Sequence, residues 1–168
     1  AASSTAMSVA ASNRIAMKVI CEGEISLATI AGSQVAMTAI AASTVALLAI
    51  MANAKAMTAI EASETAKTAL AASPLKVSAT YTCSHAWIAR STVRMYLISM
   101  KQTAVNDAST YFYVQKTALD NTYVAALAAN CYNAEYPCNR FMDGLTNFVN
   151  YATPDMKVSY QYIPLALA

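Results

Sequence analysis

The stretch that decides the fold is residues 32–51, which read Gly-Ser-Gln-Val-Ala-Met-Thr-Ala-Ile-Ala-Ala-Ser-Thr-Val-Ala-Leu-Leu-Ala-Ile-Met and contain one ten-residue unit twice. Seven copies of this decad fill residues 1–73. When residues are grouped in columns by the last digit of their number, the sixth column is always small, the seventh is mostly Met or Leu, and the tenth is mostly Ile. The third column contains only residues that favour the N-cap of a helix: Ser3, Asn13, Gly23, Ser33, Ser43, Asn53, Ser63 and Ser73.

A period of ten does not fit one continuous helix, because each residue turns by about 100° and an apolar stripe would slip by about 80° per repeat. The period instead predicts one short helix per decad, capped in column three, running through column ten, and linked by columns one and two. Columns six, seven and ten then share the buried face. The predicted core residues of the central copies are Ala36, Met37, Ile40, Ala46, Leu47 and Ile50.

A stack of β-rungs is the main alternative for this segment. Ala is poor in strands, and such rungs usually turn on Gly, of which the repeats contain only Gly23 and Gly32. Two-turn helices are not stable alone, so the repeats must stabilise one another by stacking. We therefore predict a solenoid of short α-helical repeats. Because the chain starts at Ala1 in the middle of a repeat, we also expect that further sequence precedes it.

Low charge raises the question of a membrane, since residues 25–54 carry no charged side chain and residues 35–52 would pass a hydropathy window. Sister repeats carry charged residues in the same columns, among them Arg14, Lys18 and Glu61. This pattern argues against membrane insertion. An apolar band of this length favours an assembly of copies, because soluble monomers rarely expose large apolar patches.

The composition changes abruptly after Pro74, since all ten Tyr, all three Phe and the one Trp lie beyond residue 80. We predict two domains, a decapeptide-repeat helical segment over residues 1–74 and an aromatic-rich, β-dominated domain over residues 75–168. The net charge of +2 is small and scattered, which argues against nucleic acid as a partner.

The second domain contains several segments with alternating or β-branched and aromatic residues, which predict strands: residues 76–83, 92–100, 110–115 and 156–163. Residues 122–130 fit a helix or a strand. Helical spacing of Phe141, Leu145, Phe148 and Ala152 predicts a helix there. The fold class is therefore α+β, with a small and mainly antiparallel β domain after the helical repeats.

Catalytic constellations are weak in this sequence. His85 is the only histidine, and Cys83 or Ser84 could supply a nucleophile beside it. Neighbours in a strand point to opposite faces, which would separate Ser84 from His85. The acidic residues of the second domain are spread singly, at Asp107, Asp120, Glu135, Asp143 and Asp155. We therefore assign no catalytic residue, no metal site and no cofactor.

Two features of the second domain remain as candidate sites. Cys131 and Cys138 could close a short disulfide loop, and two free thiols are the alternative in a reducing cytoplasm. Tyrosines supply rigid amphipathic contact area for a protein or glycan partner, and the candidate contacts are Tyr111, Tyr113, Tyr132, Tyr136, Tyr160 and Tyr162.

The repeat phrases at residues 2–7, 32–40 and 42–47 resemble the Ser-x-x-Ala-Met-x-Ala-Ile/Val arrays in tail-fibre and related appendage proteins of bacteriophages. The resemblance covers residues 1–73. In such proteins the repeats form a shaft or spacer, and a C-terminal domain forms a head that is often trimeric. The ending Lys157-Val-Ser-Tyr-Gln-Tyr-Ile-Pro-Leu165 also resembles the closing strand of such heads.

The resemblance implies a phage virion structural protein without enzymatic activity, a fibre or tail-associated appendage subunit assembled in the cytoplasm of the host bacterium. Its expected partners are copies of itself, with a homotrimer as the first guess and a larger ring as the second, other virion proteins, and a host surface glycan or protein. Two alternatives stay open, a cellular repeat adhesin or surface filament, and an enzyme domain carried on a repeat scaffold.

Overall fold

The structure is a computed structural model that describes residues 3–83, 89–91, 94–104, 112–115, 123–127, 134–142, 146–150 and 156–165. The chain divides into two compact units. The helical unit contains the residues through Lys76 together with Leu165, and the β unit runs from Val77 to Pro164. The predicted α+β fold class is confirmed.

Seven helices fill the repeat segment, one for each decad: α1 (Ser4–Ser12), α2 (Arg14–Glu22), α3 (Glu24–Ala31), α4 (Gln34–Ala41), α5 (Thr44–Met51), α6 (Ala54–Ala62) and α7 (Glu64–Ala71). Each begins directly after its column-three residue, whose extended backbone is that of an N-cap. The prediction of one short helix per decad is confirmed, and the unbroken helix and the β-rung are excluded.

The predicted link in columns one and two was wrong for column one in every helix, and also for column two in α1, α2 and α6. Every helix continues through column one, and its side chains are buried in the first five repeats: Ala11, Cys21, Ala31, Ala41 and Met51. The reason is geometric, because column one follows column seven by four residues and so lies on the same helix face. The buried face therefore comprises columns six, seven, ten and one.

Each of the first four helices packs against the helix three positions further along, in the pairs α1–α4, α2–α5, α3–α6 and α4–α7. Each also contacts its neighbours in sequence. The small column-six residues lie in the interior from the fourth repeat onward, and Ala36, Ala46, Ala56 and Ala66 are at most 1% exposed. A side chain without atoms beyond Cβ lets neighbouring helices approach closely, which explains the invariant small residue.

The β unit contains eight strands in the described residues: β1 (Val77–Cys83), β2 (Ala89–Ser91), β3 (Met95–Ala104), β4 (Phe112–Gln115), β5 (Tyr123–Leu127), β6 (Glu135–Met142), β7 (Thr146–Asn150) and β8 (Met156–Pro164). They form two four-stranded sheets, with the orders β1-β8-β3-β6 and β2-β7-β4-β5. All pairs are antiparallel.

The strands predicted from alternation at both ends of this unit are β1 and β8, which pair with each other without a register shift. Residues 122–130, left open by the sequence, contain strand β5. The helix predicted from the spacing of four apolar residues was wrong, because Phe141 lies in β6 and Phe148 in the separate strand β7. Leu145 and Ala152 lie outside the described residues. Phe141 packs edge-to-face on Tyr96, with ring centroids 4.8 Å apart.

Candidate assembly and binding surfaces

The column-three side chains of the later repeats make two hydrogen bonds, one within their own helix and one to an earlier helix. The hydroxyl of Ser43 accepts a hydrogen bond from the backbone N–H of Ala46 at 3.2 Å and donates to the carbonyl oxygen of Ala11 at 2.6 Å. Asn53 divides the same roles between two atoms. Its Oδ1 accepts from the N–H of Ala56 at 3.0 Å, and its Nδ2 donates to the carbonyl oxygen of Cys21 at 3.1 Å.

The last two residues of column three, Ser63 and Ser73, form the same kind of bridge. Ser63 accepts from the N–H of Ala66 and donates to the carbonyl oxygen of Ala31 at 2.6 Å. Ser73, which follows the last helix, donates to the carbonyl oxygen of Ala41 at 2.5 Å and accepts from the N–H of Leu75. In all four bridges the donor and the acceptor residue are 32 positions apart, and each bridge joins a column-three side chain to the C-terminal end of a helix.

The double role explains a feature of the sequence that capping alone does not. Asp caps helices about as well as Ser and Asn, yet column three contains no Asp. An ionised carboxylate only accepts hydrogen bonds, whereas a hydroxyl or a carboxamide both accepts and donates. The absence of Asp is the signal in the sequence from which the second hydrogen bond could have been found.

The other predicted caps differ in their contacts. Asn13 accepts from the N–H groups of Ile15 and Ala16 at 2.9 and 3.1 Å, and Ser33 accepts from the N–H of Ala36 at 3.3 Å. Ser3 makes no side-chain capping hydrogen bond, and Gly23 has no side chain to do so.

The predicted repeat core lies in the interior. Exposure is at most 1% for the six side chains, namely Ala36, Met37, Ile40, Ala46, Leu47 and Ile50. Met37 therefore packs between helices, where the flexible thioether fills irregular space.

In helices α1–α3, the residues of columns five and six are more exposed than the residues of the same columns in later repeats. In column six, Ala6 and Ser26 are exposed, although the same column is in the interior in α4–α7. In column five, Ile15 and Ile25 are 77% and 87% exposed, against 43% for Val35 in the fourth repeat.

Three of the six candidate tyrosines share one face of the first sheet. Tyr160 pairs with Met100 of β3, and Tyr136 of β6 pairs with that same Met100 from the other side. Residues directly opposite in a sheet point to the same side. Tyr162 lies two residues after Tyr160 on the same strand, and the two rings have centroids 5.2 Å apart. We call Tyr136, Tyr160 and Tyr162 the tyrosine face.

The rings of the tyrosine face cover core residues and also reach solvent. Met100 and Leu97 of β3, which lie opposite these tyrosines, are fully buried. Tyr136 is exposed, and Tyr160 and Tyr162 are half-buried. Such a face offers apolar rings with polar tips to a partner. Tyr111 and Tyr132 lie outside the described residues, and the side chain of Tyr113 in β4 is also outside the described part.

The structure describes only one cysteine of the candidate disulfide pair. Cys138 is a free and buried thiol, whereas Cys131 lies outside the described residues. The bridge between Cys131 and Cys138 therefore stays a prediction. Burial raises the pKa of the Cys138 thiol to about 12, opposed by the nearby charge of Arg140. Cys21 is also free and buried, and burial with the nearby Glu22 raises its pKa.

We expect the raised pKa of Cys138 to make stability fall in alkaline solution. The unfolded thiol ionises near pH 9, whereas the folded thiol stays protonated, so the unfolded state is favoured as pH rises from 9 towards 12. Between pH 8 and pH 10, the free energy of unfolding should fall by about 1 kcal/mol more in the natural chain than in Cys138→Ala. Urea titrations of both proteins at the two pH values test this, and equal losses would contradict it.

The described residues contain no group of three or more His, Cys, Asp or Glu side chains placed to hold a metal ion. His85 and four of the five acidic residues of the second domain lie outside the described residues. The fifth, Glu135, accepts a hydrogen bond from the buried Ser99 hydroxyl of the neighbouring strand. Its contact is structural, because it joins the two strands β3 and β6.

Across the described residues, no single helix combines the length and apolar character needed to cross a membrane. Among the described helices, α4 and α5 taken together pass that test, and they are bent by 100° relative to each other. The comparison of this chain with protein-family models and with curated proteins finds no match.

Proposed function

We propose that this protein is a structural subunit of a bacteriophage virion, a fibre or tail-associated appendage component that assembles with copies of itself. The proposal rests on the decad repeats of residues 1–73 and their resemblance to phage fibre arrays. It is supported by an architecture in which side chains serve packing and capping. The proposed role is that of a non-enzymatic component of the particle, without a cofactor.

The observation that carries the proposal is the set of hydrogen bonds that join residues 32 positions apart. Together with the packing of each helix on the one three positions further along, they support a solenoid with three short helices per turn. In such an array each unit is stabilised only by its neighbours, so length can be added by adding repeats. A shaft or spacer needs this property.

The β unit takes the recognition role in this proposal. Its tyrosine face carries three tyrosines on one side of the first sheet, two of them with ring centroids 5.2 Å apart. Tyrosines are enriched where proteins bind partners. We assign it to contact with another virion protein or with a host surface glycan or protein. The assembly itself contains several copies, with three as the first expectation and a larger ring as the second.

Mass spectrometry of phage particles tests the proposal. Particles produced by the bacterium that encodes this chain are purified by density gradient and digested, and the expected result is peptides from both units at the stoichiometry of a fibre component. Peptides found in the host cell envelope and absent from the particles would contradict the proposal and favour a cellular adhesin.

A further inference from the structure

The helical unit contains one described residue that comes after the β unit in the chain. The chain leaves the helical unit after Lys76, forms strands β1–β8, and returns to the helical unit at Leu165, directly after β8. The side chain of Leu165 is fully buried. The chain therefore joins the two units at two points, one after the helices and one after the last strand.

The two connections leave the first sheet side by side. β1 and β8 are antiparallel neighbours, and Val77, the first residue of β1, pairs with Tyr162 near the end of β8. On the first connection, the hydroxyl of Ser73 holds the chain to the repeats by donating to the carbonyl oxygen of Ala41. On the second connection, the described anchor is the buried side chain of Leu165.

Helix α7 has the features of a closed end of the array. Column seven is Met or Leu in the first six repeats and Lys67 in the seventh. The Nζ atom of Lys67 pairs with a carboxylate oxygen of Glu64 at 2.7 Å. A polar residue suits this position because the chain continues into β1 rather than into an eighth helix, and terminal repeats of such arrays carry a polar outer face.

Column nine shows that α7 nevertheless has a cover that earlier helices lack. Ala69 is 4% exposed, whereas the column-nine side chains of α1–α6 are exposed or half-buried. In the helical unit, the described residues that follow α7 are residues 72–76 and Leu165. Two of these are leucines, of which Leu75 is half-buried and Leu165 is fully buried.

We propose that Leu165 is a clamp that closes the helical array at α7 and ties the end of β8 to the repeats. Leu165 is buried in the helical unit but follows directly on a strand of the β unit. The β unit therefore cannot pull away from the repeats unless Leu165 leaves its buried position. A load on the β unit is then shared by two adjacent chain segments. The clamp does not depend on the proposed role in a virion.

Hydrogen exchange measured by mass spectrometry tests the clamp, because it reports the opening of each element separately. Leu165→Ala is compared with the matched control Ile163→Ala, which truncates another fully buried aliphatic side chain two residues earlier, within β8. In Leu165→Ala we expect the amides of α7 to exchange about 30-fold faster or more, because truncation of a buried leucine leaves a cavity. This acceleration should exceed that of the β3 amides by about tenfold.

The control should show the reverse pattern, because Ile163 pairs with Tyr96 of β3. If Leu165→Ala does not fold, Leu165→Val removes a single methylene group and should accelerate exchange in the same helix by a smaller factor. Equal acceleration of α7 in Leu165→Ala and Ile163→Ala would overturn the clamp. Unchanged exchange of α7 in Leu165→Ala would also overturn it.

A second measurement cuts the first connection and leaves the second one intact. A protease recognition site is inserted between Lys76 and Val77 in the full chain, with and without Leu165→Ser. After cleavage, the two fragments of the chain with Leu165 should elute together in size-exclusion chromatography, whereas those of Leu165→Ser should separate. Separation of the fragments that retain Leu165, or joint elution of the Leu165→Ser fragments, would overturn the clamp.

Discussion

Replacing Asn53 by Asp is expected to destabilise the helical unit by about 2–3 kcal/mol, although Asp is as good a helix cap as Asn. The substitution leaves the acceptor for the N–H of Ala56 in place but removes the Nδ2 donor that binds the carbonyl oxygen of Cys21. A carboxylate oxygen then faces the carbonyl oxygen of Cys21, and the two oxygens, one charged and one partially negative, repel each other. Cys21 is 4% exposed, so water cannot easily replace the lost donor.

The matched control for this prediction is Asn13→Asp. Asn13 also caps a helix, with hydrogen bonds from two N–H groups, but α2 has no helix three positions earlier in the described structure to which its amide could donate. The same chemical change should therefore alter stability by less than about 0.5 kcal/mol. Urea unfolding of both variants at pH 7 measures the difference, and equal losses would show that the bridge to Cys21 contributes nothing.

The acidic range provides a further check on the same variant. At low pH the introduced carboxyl is protonated and can donate a hydrogen bond again. The difference in unfolding free energy between Asn53→Asp and Asn13→Asp should therefore become smaller as pH falls below about 4. If this difference in unfolding free energy does not change with pH, the cause is steric.

The second large effect is expected at column six. Ala46→Leu should destabilise the protein by about 1–3 kcal/mol, because three additional carbons enter a fully buried position between helices. Ile40→Val removes one buried methyl group and should cost less, about 0.5–1.5 kcal/mol. Thermal unfolding followed by circular dichroism measures both.

Ala6→Leu is the control for the column-six prediction, because Ala6 occupies the same column but is exposed. Leu is a good helix former, so this variant should retain the natural melting temperature. If Ala6→Leu and Ala46→Leu lower the melting temperature equally, close helix packing is not what keeps column six small.

The helices were predictable from sequence because their signals are local and repeated. Column three supplies a cap at each start, and columns six, seven and ten supply the apolar face. The bridges from Ser43 and Asn53 to earlier helices were not predicted, since they depend on which helix packs on which. The burial of column one was also missed, although its residues are mostly apolar, because the helix was expected to end at column ten.

In the β unit, local sequence patterns predicted less of the structure, because much of it depends on which strands pair. Alternation predicted β1 and β8, whose polar and apolar residues differ by face. Strand β3 gave a weaker signal, because Met95 to Met100 are all buried and alternation is lost. The apolar spacing around Phe141 matched a helix by coincidence across two strands. The tyrosine face could not be found from sequence, since Tyr136 and Tyr160 meet only through their separate pairing with β3.

Self-assembly is the central claim, and the molar mass of the purified chain in solution tests it most directly. Size-exclusion chromatography with light scattering at micromolar concentration should give a multiple of the 17.8 kDa chain mass, with three copies as the first expectation. Association is expected because residues 25–54 contain no charged side chain, and soluble monomers rarely expose a large apolar surface. A well-folded monomer with a sharp thermal transition at these concentrations would contradict the account.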